Sequence, residues 1–209
     1  MFTKYLSFIV LGYLSGSIMF SYLIVKVLKH IDLIDVSDDH NPGMANAFKY
    51  GGTTCGVLAL VCDFFKAFLP IFFSLKFLDY DNILFILVLV APVLGHAYPI
   101  YMGLKNGGKC ILSSFGILFG LIPDLLPFCF LAFWFIFFSV VLIIKPHALR
   151  TVITFICWFL SYTIYDFFFV KKYVLLVGFL IMTLLIFIRH KKSLKECEDK
   201  EIHFVFSKN

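Results

Sequence analysis

The sequence predicts an all-α integral membrane protein with seven transmembrane helices, N-terminus outside and C-terminus cytoplasmic. Three observations carry this: long apolar runs, one run too long for a single crossing, and a lopsided distribution of basic residues. Of 209 residues, 61% are hydrophobic, and the mean hydropathy is +0.97. The apolar runs exceed what a soluble core helix needs, which marks a polytopic membrane chain with no room for a second, soluble domain.

The spans fall near residues 5–28, 53–78, 82–104, 111–123, 124–144, 148–170 and 173–188, followed by a charged cytoplasmic tail, 189–209. The first resembles a signal peptide in being basic and then apolar. It is too long for one, contains Gly12, Ser15, Gly16 and Ser17, and meets no small-residue cleavage site, so it is expected to stay as a span. The apolar run 111–144 is divided for a physical reason. As one helix at about 1.5 Å per residue it would extend roughly 50 Å, against a hydrocarbon core of about 30 Å, and Pro123, Asp124 and Pro127 sit in its middle.

Charge is consistent with the division. With seven spans, Lys26, Lys29, Lys49, Lys105, Lys109, Lys145, Arg150, Arg189, Lys191, Lys192, Lys195, Lys200 and Lys208 share one side, whereas Lys4, Lys76, Lys171 and Lys172 take the other. With six spans the asymmetry vanishes, because Lys145, Arg150 and the tail change sides. The net charge of +5 follows from this rule, and nucleic-acid binding is not expected. Cys55, Cys62, Cys110, Cys129, Cys157 and Cys197 show no metal-ligand spacing, and most lie inside apolar runs, so neither a metal site nor a disulfide framework is expected.

Three polar stretches then fall together on the cytoplasmic side. In Lys105-Asn106-Gly107-Gly108-Lys109, adjacent glycines allow backbone N–H groups to converge on an oxyanion, two lysines add charge, and a helix start follows. The plain reading of such a loop is a turn bearing positive-inside lysines. His96 lies near the cytoplasmic end of the third span, where an ionisable group normally faces the bundle or a polar cavity. Asp63 and Lys66, at i and i+3, share a helix face, as a structural ion pair or as part of a site. Asn41-Pro42-Gly43 with Asn46 forms a turn carrying two amides, and Lys49 follows it. The aspartates Asp32, Asp35, Asp38 and Asp39 either repel an anion or order nearby lysines.

Taken in order, these segments resemble the bacterial acyl-phosphate:glycerol-3-phosphate acyltransferase family of the PlsY type along nearly the whole chain. Gly16-Ser17-Ile18 with Phe20 is similar to the family's first-span Gly-Ser-Ile-Pro-Phe, and Asn41-Pro42-Gly43-Met44-Ala45-Asn46 to its Gly-Asn-x-Gly-Ala-Thr-Asn loop. Asp63-x-x-Lys66, Gly95-His96-x-Tyr98-Pro99 and Gly107-Gly108-Lys109 match three further elements. The departures are Asp39 where the family has serine, His40 for the glycine after it, Lys49 for arginine, Met19 for the first-span proline, an additional Asn106 and Cys110 for a glycine in the phosphate loop, Ala148 and Thr151 roughly where the family has Ser-Leu-Gly-Ser, and His190-x-x-Ser193 for His-x-x-Asn.

The resemblance implies transfer of an acyl group from acyl phosphate to glycerol 3-phosphate or a related acceptor, in a bacterial plasma membrane and without a cofactor. It implies catalytic roles at His96, Lys49, Asp39, His190 and Ser193. Substrate contacts are implied at Ser17, Asn41, Gly43, Asn46, Lys105, Gly107, Gly108 and Lys109. The alternatives are a catalytically altered lipid- or anion-binding accessory protein of the same fold, for which the substitutions at 39, 49, 110 and 193 speak, and a small transporter, weakened by the absence of detectable inverted repeats.

Overall fold

In a computed structural model, residues 1–196 and 201–205 are described; Cys197, Lys200 and Lys208 lie outside the described residues. The α-helices are α1 (Phe2–Ser17), α2 (Phe20–Lys29), α3 (Leu33–Val36), α4 (Met44–Ser74), α5 (Phe85–Ala97), α6 (Ile111–Phe119), α7 (Leu126–Ile136), α8 (His147–Tyr165) and α9 (Tyr173–Glu196). One antiparallel ribbon, β1 (Leu142–Lys145) with β2 (Glu201–Phe204), is added to the expected all-α fold. The sequence reading missed it because strand β2 is a short segment of the charged tail, paired to a distant part of the chain.

Among the described residues five helical stretches are long and apolar enough to cross a membrane: Phe2–Lys29, Met44–Ser74, Phe85–Met102, His147–Val170 and Tyr173–Glu196. The run 111–144 is indeed broken, but into shorter helices than expected. Helix α6 ends at Phe119, about 13 Å from its start at 1.5 Å per residue. Helix α7 passes through a π-helical turn, Phe137–Val141, into β1. Large apolar side chains such as Leu11, Val27, Phe65, Phe133, Ile164 and Leu184 are exposed around the outside of the bundle, as lipid-facing surfaces are and soluble monomers' surfaces rarely are.

Glycines set the closest crossings. A Cβ on Gly16 would run into the Pro92 carbonyl, and one on Gly95 into the Tyr13 carbonyl, so α1 and α5 meet backbone to backbone. Helix α4 is kinked at Gly52, whose φ is +80°, a conformation that glycine adopts readily. Aromatic rings are the largest side chains of the inner core. Trp158 packs on Phe179 with ring centroids 5.0 Å apart and donates its indole N–H to the Pro127 carbonyl at 2.8 Å, tying α7 to α8 and α9.

The bundle has two distinct ends. At one, Tyr5 donates to the Asp79 carbonyl at 2.8 Å, the Lys172 ammonium contacts the Tyr80 hydroxyl, and Lys76, Asp124 and Lys172 border a cavity of about 390 Å³. At the other, Asp39 reaches Lys109, Arg189 reaches the Gly107–Gly108 carbonyls, and Lys145 reaches Glu201.

Candidate active site

At this second end, the segment before α4 folds on its own side chains. Asp39 accepts the Asn41 N–H at 3.3 Å, an Asx turn two residues long. The Asn46 amide, one turn into α4, donates to Asp39 at 2.8 Å and to the Asn41 carbonyl at 2.7 Å. Gly43 caps α4, and a Cβ there would press on the Asn41 amide at 3.1 Å. The aspartates order lysines rather than leaving an unpaired negative patch: Asp32 pairs with Lys26 (3.2 Å), Asp38 with Lys49 (2.8 Å) and Asp39 with Lys109 (2.8 Å). Burial opposes the charged form of Asp39, but hydrogen bonds from Lys109 and Asn46 outweigh it and hold the carboxyl below the usual carboxylate value.

Deeper in, Asp63 and Lys66 form a buried ion pair at 2.7 Å. Asp63 also accepts from the Ser21 hydroxyl, and the Lys66 ammonium reaches the Ile18 carbonyl at 2.5 Å and His96 Nδ1 at 2.8 Å. The Ile18 carbonyl is available because the chain is extended there, between α1 and α2. His96 is thereby linked to three other segments.

The Gly107–Gly108 turn departs from the open cradle expected of it. The Gly108 N–H donates to the His96 carbonyl at 3.0 Å, so it is already engaged. A Cβ on Gly107 would strike the Ala97 carbonyl and one on Gly108 the His96 ring. Both residues are glycine because the loop lies flat on the end of α5. Arg189 fixes it from the other side, its guanidinium donating to the Gly108 carbonyl at 3.1 Å and to the Gly107 carbonyl. Tyr98 lies under that guanidinium, 5.6 Å from its ring centroid.

These parts enclose a cavity of about 460 Å³ whose polar lining includes Asp39, Asn41, Asn46, Asp63, His96, Lys109 and His147, with Gly43 in the wall. Its remaining wall is apolar, with Ile111, Leu112, Phe115 and Phe135. His190 is fully buried. Its Nδ1 lies 2.8 Å from the Ile186 carbonyl, while Nε2 has no partner among the described residues, nor does Arg150 Nε. Lys109, His147 and Arg189 lie close enough to His190 to act on it electrostatically. The arrangement can hold an anion beside an apolar slot: Lys109 and the Asn41 amide at the mouth, aromatic walls behind. Among the described residues no group of three or more metal-ligating side chains occurs.

Other expected site residues lie elsewhere. Ser17 is buried and donates to the Tyr13 carbonyl at 2.8 Å. Lys49 is exposed, paired with Asp38 and lying over the Tyr50 ring. Lys105 is exposed, and Ser193, half-buried on α9, makes no side-chain hydrogen bond among the described residues. His147, Arg150 and Arg189 were missed. The latter two had been read only as positive-inside charge; the signal was that Arg189 adjoins His190, and that His147 and Arg150 open a span one turn apart.

Fold and site together define a helical integral membrane protein with a cavity at one end that combines cationic and amide groups with an apolar wall. Residues 6–200 match the model of the family described as glycerol-3-phosphate acyltransferase, and the chain belongs to that family. It is 33% identical over 198 residues to the glycerol-3-phosphate acyltransferase of Pelagibacter ubique, covering 95% of this chain and 96% of that one. It is 44% identical over 112 residues to glycerol-3-phosphate acyltransferase 2 of Thermotoga maritima, a match spanning 54% of this chain and 56% of that protein, so the chain matches about half that relative's length. Among solved structures, it is similar to PlsY, described as an integral membrane glycerol 3-phosphate acyltransferase, in its glycerol 3-phosphate form: TM-score 0.77, 28% identity, 91% of this chain and 90% of that one. The lysophosphatidic acid form gives a TM-score of 0.74 at 27% identity.

Proposed function

We propose that this chain is a membrane acyltransferase of phospholipid synthesis, moving an acyl group from acyl phosphate to glycerol 3-phosphate or a related phosphorylated acceptor. The observation that carries this is the convergence of Lys109, His96, His147 and the Asn41/Asn46 amides on one cavity with an apolar wall. In the reaction the acceptor hydroxyl oxygen bonds to the acyl carbon, the acyl–O–P linkage breaks, and phosphate leaves with that electron pair and takes up the hydroxyl proton. Lys109 neutralises phosphate charge, and the amides of Asn41 and Asn46 orient the acceptor. Among the described residues Arg150 Nε and His190 Nε2 are buried without partners: Arg150 Nε is a donor for a substrate oxygen, whereas His190, whose Nδ1–H donates to the Ile186 carbonyl, presents a bare Nε2 that can accept from a substrate hydroxyl. Phe115 and Phe135 line the path of the acyl chain. The rate comes from positioning and charge stabilisation.

We also propose that the seven helical segments each pass between the two membrane faces, with the cavity end cytoplasmic and the N-terminus outside, in a bacterial plasma membrane. The alternation of the segments between the two ends supports this, and a locally thinned or protein-lined path accommodates α6. The activity is tested with purified protein, acyl phosphate and labelled glycerol 3-phosphate, other hydroxyl acceptors being run beside it. Labelled lysophosphatidate formed in step with phosphate release is the expected result; phosphate binding without turnover identifies an accessory anion-binding protein instead.

A further inference from the structure

We infer that Lys66 is a positioning residue that fixes His96 as the neutral Nε2–H tautomer, so that His96 serves the cavity as a hydrogen-bond donor and not as a base. The Lys66 ammonium is surrounded by Asp63 Oδ1 at 2.7 Å, the Ile18 carbonyl at 2.5 Å and His96 Nδ1 at 2.8 Å. An ammonium has three donors and no lone pair to offer. Nδ1 must therefore be the acceptor in its contact with Lys66, and the ring proton of a neutral imidazole then sits on Nε2.

Asp63 keeps Lys66 charged, because an unpaired ammonium or carboxylate at this depth is costly and the pair satisfies both. A second proton on His96 would turn Nδ1 towards Lys66 as an N–H facing an ammonium, so the same contact excludes the imidazolium. The other ring edge is open for use. His96 borders the cavity, its Nε2 makes no hydrogen bond among the described residues, and the residue facing it, Gly108, has no side chain. The ligand class follows from the donor: an oxyanion or carbonyl oxygen, that of a phosphate or of the acyl group.

This inference rests on the acyltransferase reading for the identity of the oxygen bound, but its first test does not. In full-length protein labelled with ¹⁵N-histidine and held in lipid nanodiscs, the His96 signals are assigned by comparison with His96→Gln. The expected spectrum at neutral pH has a protonated Nε2 and a bare, hydrogen-bonded Nδ1. A protonated Nδ1, or both nitrogens protonated, overturns the proposal. The double variant Asp63→Asn/Lys66→Met, which removes both charges and so leaves no unpaired buried ion, should redistribute the tautomers; an unchanged spectrum shows that Lys66 does not set them.

Adding glycerol 3-phosphate, or a non-hydrolysable acyl phosphate analogue, should shift the Nε2 signal. If neither does, His96 is not the donor. Where turnover is measurable, His96→Gln, which places an amide N–H near the same point, should stay within about tenfold of wild type, as when one donor replaces another. Loss of a general base would cost about 10²–10⁴-fold, and that outcome overturns the donor role. A wild-type tautomer as expected, with ligand shifts but no acyl transfer, sinks the enzyme reading while the Lys66–His96 assignment stands.

Discussion

Asp39 and Lys109, seventy positions apart, close to 2.8 Å across the mouth of the cavity, so the lysine best placed to meet a phosphate is already paired with a carboxylate. An arriving anion must share that lysine with Asp39. Asp39→Asn, which keeps the shape and removes the charge, should therefore tighten binding of inorganic phosphate by several-fold, about the size of a partly exposed ion pair, as read by calorimetry. Weaker binding would mean that Asp39 orders the site more than it competes.

The same carboxyl fixes a pH dependence. Its folded pKa is held below the ordinary value, so its contribution to stability is fully present above the unfolded value of about 3.9 and is lost as pH falls through the lower folded value. Thermal melts of wild type and Asp39→Asn should differ by a constant amount across the neutral range. The difference should shrink only in acid, below the unfolded value.

Lys109 and Lys49 should separate cleanly. Lys109→Ala is expected to cut turnover about a hundredfold, the scale of one lost electrostatic contact in a transition state. Lys49→Ala, at an exposed lysine held by Asp38 away from the cavity, should change it by no more than about threefold. Steady-state rates with saturating acyl phosphate decide it, and the reverse order would restore Lys49 to the site.

Gly108→Ala should damage function and fold together. The new methyl would press on the His96 ring, and overpacking of this kind costs about 1–3 kcal/mol. Turnover should drop further than the melting temperature accounts for, because the displaced group is the one bordering the cavity. A stable and fully active variant would show that the loop moves freely away from α5.

Topology is tested by cysteine labelling in a background with the native cysteines replaced. Sites introduced at 48, 105, 147 and 195 should be shielded from a membrane-impermeant thiol reagent added to intact cells, whereas sites at 80 and 171 should react. Reaction at 195 from outside would restore six spans.

The membrane class was plain in the sequence, because apolar runs of this length have no soluble use. The break near Pro123 was legible too, since the run was too long and carried two prolines. Where the pieces ended was not: α6 stops at Phe119, and β1 forms only because residues 201–204 return to it. In the site, Asn41, Asn46, His96 and Lys109 stood out as polar groups among apolar ones. The long-range partners were hidden, because the pairing of Lys109 with Asp39, seventy residues away, and of His96 with Lys66, thirty away, leaves no local pattern. Arg150 and Arg189 were masked by a competing explanation, the topological charge bias, which accounts for any basic residue on that side. The two loop glycines have a packing reason that no local pattern shows: they allow contact with α5, and the Gly108 N–H is consumed by that contact.

The interruption between α1 and α2 lies where the resembled pattern places proline and this chain has Met19. Proline would break the helix locally, by lacking an N–H. Here the extended Ile18 carbonyl is instead claimed by an ammonium 48 residues further along the chain. The bend is thus written on a different helix from the one that bends, which frees the buried position 19 from having to be proline and makes position 66 answerable for the shape of the first span.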